Sequence, residues 1–190
     1  MITDKERMEE LQRKIAAREK TDEETTIDWK IDHDILYSLL CISFFADQEI
    51  DDKIEVGTCY IKYPKLIYCL YDNKDKKEMV SNGRALVIKN NRYNKTYIYP
   101  LKTTPLEYIL DKEFILTRIK NLEPKINNNT IEFLVPTKKK KLSIFFNSKT
   151  YDLAGWKTID IYQKEVVFQI NNLEKNINID ENQFKLPPLN

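Results

Sequence analysis

The sequence predicts an α+β protein built on one large curved antiparallel sheet or barrel, with short helices beside it. Two observations carry that expectation. Between Val56 and Leu110, short runs rich in Ile, Val and Tyr are separated by turn chemistry at Tyr63-Pro64-Lys65, Asp72-Asn73-Lys74, Ser81-Asn82-Gly83 and Asn90-Asn91, the pattern of a strand meander. Composition agrees: Gly is scarce at 3, while Tyr (11) and Phe (8) are plentiful. That balance favours strands with aromatic faces over Gly-rich phosphate loops. At 190 residues, a single domain that buries roughly 70% of its unfolded surface is the default.

Residues 3 to 20 read as a helix. Thr3 and Glu6 form a capping box, and Met8, Leu11 and Ile15 make a narrow apolar stripe among charged positions. Such a helix can rest on a surface but not enter a core. Residues 21 to 26 read as a linker. A second helix is expected from Asp34 to Phe45, where Ile35, Leu36, Leu39, Leu40 and Ile42 form a broad apolar face. From Glu55 the period becomes two. Cys59, Ile61 and Tyr63 share a face of one strand, and Ile67, Cys69 and Tyr71 a face of the next.

Strands near 77–82, 84–90 and 93–99 extend the meander. Thr104-Pro105 then opens a helix over 105–110, and Asp111 is placed to cap another near 112–120. Alternation returns at Ile131, Phe133 and Val135, at Leu142, Ile144 and Phe146, and at Val166, Phe168 and Ile170. After Phe184-Lys185-Leu186, Pro187 and Pro188 end any sheet pairing.

Several function classes are disfavoured at this point. Lys plus Arg is 31 and Asp plus Glu is 30, so the chain lacks the basic excess of a nucleic-acid binder. The tyrosines at 60, 63, 68, 71, 93, 97 and 99 are better read as strand packing than as a base-stacking platform. There is no GxGxxG, no Walker A sequence and no zinc-ligand spacing. With one His, His33, flanked by Asp32 and Asp34, neither a metal cluster nor a His-based triad can be built. An enzyme is therefore not expected.

No run reaches the roughly 18 apolar residues of a membrane span. The longest, Ile35 to Ala46, is preceded by a long mixed-charge segment and reads as a buried helix rather than a signal core. Lys138 to Lys141 reads as a solvated hairpin turn. Cys59 and Cys69 each lie five residues from Pro64, so a tight hairpin sets them opposite each other at a separation that disulfide geometry permits. The sequence leaves two states open: a bond, or two thiols acting as small apolar groups.

The order of these signals resembles the LolA family of periplasmic lipoprotein carriers. Gly57 opens a strand that Ile61-Lys62-Tyr63-Pro64 ends, and Leu66 to Tyr71 follows as an apolar-aromatic strand. Val80-Ser81-Asn82-Gly83 matches the family's turn residue for residue. Thr104-Pro105 with Leu106, Ile109 and Leu110 matches its Thr-Pro helix. Leu153-Ala154-Gly155-Trp156, Glu165 to Ile170 and Phe184 to Pro188 match its closing series. The likeness spans about residues 42 to 190. One departure stands out: the family's Arg before the Pro is Tyr63 here, a phenol that can donate one hydrogen bond but lacks the guanidinium fork. The family's Phe-x-Gln is matched loosely by Phe45-Ala46-Asp47-Gln48.

What the resemblance implies is an unclosed antiparallel barrel over residues 31–190, with helices as a lid, and a charged helix and linker over 1–30 outside it. The implied lipid-binding cavity is lined by Cys59, Ile61, Ile67, Cys69, Tyr71, Leu142, Ile144, Phe146, Phe168 and Ile170. Leu106, Ile109 and Leu110 lie on the lid and Tyr63 at its mouth. The implied cargo is acylated lipoprotein, loaded by an inner-membrane ABC transporter and unloaded to an outer-membrane receptor by a monomer that needs no cofactor. The location is the periplasm, where a Sec signal is expected, and none is clear at the N-terminus. The alternative on the same half-barrel is a sensor or protein-interaction module, as in regulators of envelope stress.

Overall fold

The computed structural model describes residues 41–50, 53–137, 141–159 and 163–187. The expected helix over 3–20, the linker, His33 and most of the lysine run therefore lie outside the described residues. Within them, eleven antiparallel strands form one continuous sheet. They are β1 (Cys41–Ile50), β2 (Lys53–Lys62), β3 (Leu66–Tyr71), β4 (Lys77–Asn82), β5 (Ala85–Asn90), β6 (Lys95–Pro100), β7 (Lys125–Asn127), β8 (Thr130–Pro136), β9 (Lys141–Asn147), β10 (Leu153–Ile159) and β11 (Glu165–Lys175). Between β6 and β7 the chain makes a 3-10 turn (Leu101–Thr103), then α1 (Leu106–Ile109) and α2 (Lys112–Ile119).

The strand order is β6-β5-β4-β3-β2-β1-β11-β10-β9-β8-β7. Each neighbour is thus consecutive in sequence except at one seam, where β1 pairs with β11. The barrel is unclosed, with β6 and β7 as its two rims, and the helices bridge them in sequence.

The expected second helix fails where it can be checked, because residues 41–45 belong to β1. Side chains there obey a period of two: Ile42, Phe44 and Ala46 are buried while Phe45 is 50% exposed. Tertiary pairing decides the matter. β1 lies between β2 and β11, so its backbone satisfies ladders on both sides, which a helix in the same place could not do. The other expected elements begin within about two residues of expectation, while β11 runs past Ile170 to Lys175 and β7 is an addition that the sequence pattern did not announce. Asp111 caps α2 as predicted, its Oδ1 accepting from the Phe114 N–H at 3.0 Å.

The core lies on one face of the sheet. Phe168 stacks on Trp156 with ring centroids 4.1 Å apart and meets Phe44 edge-on at 5.9 Å. These contacts bind β10, β11 and β1 into one apolar row. At Gly155 the backbone is left-handed (φ 149°), and an added Cβ would stand 2.2 Å from the Phe168 carbonyl oxygen. No side chain fits there, which lets the β9–β10 register slip between Leu153 and Gly155. On the opposite face, the 3-10 turn Glu181–Phe184 packs on β3 and β4. Lys62, alternating with buried Ile61, pairs there with Glu181. Ile179, Phe184, Val80 and Val87 are all buried, so the closing tail covers part of the face turned away from the core.

Candidate functional site

The ten sequence-predicted lining residues share the concave face but come from two arms of the sheet. Cys59, Ile61, Ile67, Cys69 and Tyr71 lie on β2 and β3, where Ile61 pairs with Ile67 and Cys59 with Cys69. Leu142, Ile144 and Phe146 lie on β9, facing Val135, Phe133 and Ile131 of β8. Phe168 and Ile170 lie on β11. All are buried except Ile170, which is half-buried. What joins the arms is β1, whose Ile42, Phe44 and Ala46 were expected on a helix. Trp156, between Ile144 and Phe168 in register, also belongs to this surface. Its Leu-Ala-Gly-Trp setting carried only a strand signal.

Cys59 and Cys69 form a disulfide, with Cα atoms 4.1 Å apart. Register explains it: the two are directly opposed in an antiparallel pair. Of the two states left open by the sequence, the bonded one is realised.

Helix α1 buries Ile109, and Leu110 just beyond it is also buried; Leu106 is half-buried. α2 adds Ile115, Leu116 and Ile119 and meets β8. The helices are fastened to the β2–β3 turn by a small set of polar contacts. The Lys65 N–H donates to the Leu110 carbonyl at 2.8 Å. Its ammonium lies 3.6 Å from Glu107 and 3.5 Å from Asp111. The Tyr63 hydroxyl reaches the Ile109 carbonyl at 3.5 Å, the outer limit for a hydrogen bond. Burial raises the pKa of this phenol, so it remains a neutral donor.

The Val-Ser-Asn-Gly turn completes the fastening. Buried Ser81 donates from Oγ to the Lys65 carbonyl at 2.9 Å and accepts from the Gly83 N–H at 3.2 Å. Gly83 has φ 87°, a conformation glycine adopts without a Cβ penalty. Asn82 Oδ1 accepts from Arg84 and Ala85 at 3.0 Å each. The motif thus positions Ser81 to hold Lys65, and Lys65 holds the helices. Sequence reasoning placed the mouth contact on Tyr63 alone; the stronger tie is two residues on, because the turn and α1 meet only in the fold.

Replacing Lys65 with Ala leaves its backbone bond but removes the cation between two carboxylates. Partly exposed pairs contribute little each, on the order of 0.5 kcal/mol. Hydrogen exchange over residues 106–110 should therefore rise about threefold to tenfold, with Tyr63→Phe producing a smaller rise. Equal exchange in both variants and the parent would show that these contacts do not hold the helices.

A small cavity of about 30 Å³ lies beside the helices, lined by Lys102 to Pro105, Tyr108, Thr137, Lys141 and Leu142. Ligand pockets are typically roughly 300–1,000 Å³. The space beside the helices is too small for an acyl chain. At the far end of the strands, Ile50, Lys53, Glu55, Lys77 and Lys164 line a larger opening of about 450 Å³.

Residues 46–187 match the family described as outer membrane lipoprotein carrier protein LolA. No curated protein matches the chain. Among solved structures, a chain of the Pseudomonas aeruginosa MucA/MucB complex is 10% identical with a TM-score of 0.45, covering 81% of this chain. The chain spans only 60% of that relative's length. A DUF1329 family protein from Desulfovibrio piger is 10% identical with a TM-score of 0.46, covering 83% of this chain and 95% of its own. A LolA superfamily protein from Nitrosomonas europaea is 7% identical with a TM-score of 0.41, covering 81% and 97%.

Proposed function

The chain belongs to the LolA family, and on that footing we propose that it carries the acyl chains of lipoproteins between the concave face and the helices. It would receive them from an inner-membrane ABC transporter and give them to an outer-membrane receptor, crossing the periplasm without catalysing a reaction. The observation that carries this reading is a concave apolar surface spanning both arms of the sheet, with helices beside it that meet β8 and are tied to the β2–β3 turn at Lys65. Each methylene removed from water contributes about 0.8 kcal/mol. An acyl chain that enters beneath the helices offsets the cost of breaking the Lys65 contacts and of exposing Ile109, Leu110, Ile115, Leu116 and Ile119. The Cys59–Cys69 bond supports an oxidising compartment, where disulfides persist.

Displacement of a hydrophobic dye by a diacylated lipopeptide tests the reading. Ile170 is half-buried at the edge of the apolar face, so Ile170→Glu should retain the β-sheet circular dichroism and lose dye and lipopeptide binding at least tenfold. Unchanged binding would remove the concave face from consideration. A protein purified without lipid, and taking up none, would instead favour the sensor or interaction module.

A further inference from the structure

We propose that the Tyr71 hydroxyl donates a hydrogen bond to the carbonyl of a cargo acyl ester or amide, so that the polar head of the acyl chain is fixed at the end of β3. This rests on the carrier reading above and names a group within it. Tyr71 projects from the concave face in alternation with Ile67 and Cys69, and it is 1% exposed. Its hydroxyl is buried and has no hydrogen-bond partner. A buried donor left unpaired is destabilising, and native folds seldom retain one without a reason.

The polar groups nearest it bond elsewhere and leave it without a partner. Glu55, whose charge reaches the phenol, accepts from Asn73 Nδ2 at 2.8 Å on one carboxylate oxygen and pairs with Lys77 on the other. The Lys77 ammonium lies over the Tyr71 ring, 4.0 Å from its centroid, and has no lone pair to offer. Burial and the Glu55 charge both raise the pKa of Tyr71, so the hydroxyl keeps its proton and serves as a donor. What it lacks is an acceptor within reach. An acyl chain brings one, the carbonyl at its head, and the rest of the chain matches the apolar lining.

The placement also gives the polar remainder of the cargo somewhere to go. Lys77 and Glu55 line the opening of about 450 Å³ together with Ile50, Lys53 and Lys164. A carbonyl held at Tyr71 would have its ester or amide substituent directed toward this polar end. The methylenes would lie toward the helices.

The test compares three probes of equal chain length: palmitic acid methyl ester, N-palmitoylglycine amide and hexadecyl methyl ether, which lacks the carbonyl. Each displaces a hydrophobic dye from the full chain and from Tyr71→Phe, with Tyr60→Phe on the opposite face as the control for loss of a hydroxyl. Tyr71→Phe should weaken the carbonyl probes about tenfold, equivalent to about 1.4 kcal/mol, and leave the ether unchanged. A loss confined to the ester supports an O-acyl group at the site, and one confined to the amide supports an N-acyl group. Carbonyl probes that bind Tyr71→Phe as tightly as they bind the parent overturn the proposal, as does a loss that extends to the ether, since that would be ring packing. Failure of the unsubstituted protein to take up any of the three removes the carrier reading itself, and this assignment falls with it.

Discussion

Ile144→Glu should unfold the chain at neutral pH, or lower its melting temperature by at least about 10 °C, while Ile170→Glu keeps the fold. Ile144 is fully buried, flanked in register by Phe133 and Trp156. A carboxylate there would be cut off from solvent between two aromatic rings, with no cation among its register partners in the described residues. Burial of that kind raises a carboxyl pKa by about 3–5 units. The folded variant takes up a proton rather than keep the buried charge, so at pH 7 the cost is set by the gap from the unfolded pKa of about 4.3 to pH 7, about 3.5 kcal/mol, before lost apolar contact is counted. Total stability of a domain is only about 5–15 kcal/mol.

The sign of the pH dependence follows from the same shift. With the folded pKa above the unfolded value, the variant's deficit is smallest below about pH 4 and grows as pH rises toward the folded pKa. Urea melts at pH 7 and at pH 4, read against the parent under each condition, measure it. A native-like transition at pH 7 would mean that Ile144 borders water-filled space. The concave face would then be an open cavity rather than the closed row the structure describes. The outcome therefore bears on the proposed function, since it tells a packed row from a standing cavity.

The strands after Glu55 were legible because their side chains obey a strict alternation between clear turns, and because the buried face is continuous from strand to strand. The seam of the sheet was not. The apolar run Ile35 to Ala46 satisfies a helical face and a strand face equally well at its C-terminal end, and length alone favoured a helix. What turns Cys41–Ile50 into a strand is pairing with β2 and with β11, the latter about 125 residues away in sequence. No local pattern reports such a partner. β7, three residues long with all of them exposed, left no periodicity to read.

The site divides along the same line. Each lining residue other than those of β1 and β10 could be named from alternation, since one face of each strand had to be buried. The fastening could not. Lys65 is an unremarkable turn residue until the β2–β3 turn is set against the end of α1, which lies 45 residues on. Likewise the register that opposes Cys59 to Cys69 was legible from the turn, but their oxidation state was not, because a thiol pair and a disulfide ask for the same burial.

Removal of the Cys59–Cys69 bond should lower stability by about 2–3 kcal/mol. The sequence separation is 10, and in the chain-entropy account a loop that short restricts the unfolded ensemble by about this much. For a domain of this size, that corresponds to a fall in melting temperature of roughly 5–10 °C. The double variant Cys59→Ala, Cys69→Ala should show the full fall in the absence of any reductant, plus a smaller contribution from the space left by two sulfur atoms in a fully buried row. The parent treated with dithiothreitol above its transition and refolded should show the entropic part alone. Dye binding separates the structural role of the bond from a functional one. Both residues lie on the concave face beside Ile61, Ile67 and Tyr71, so alanines there enlarge the space beneath the helices without adding polarity. If the carrier reading holds, the folded double variant still takes up lipopeptide at temperatures below its lowered transition. A melting temperature within 1 °C or so of the parent, with and without reductant, would show that the two sulfurs are not bonded in solution. The support they lend to an oxidising compartment would be lost with it.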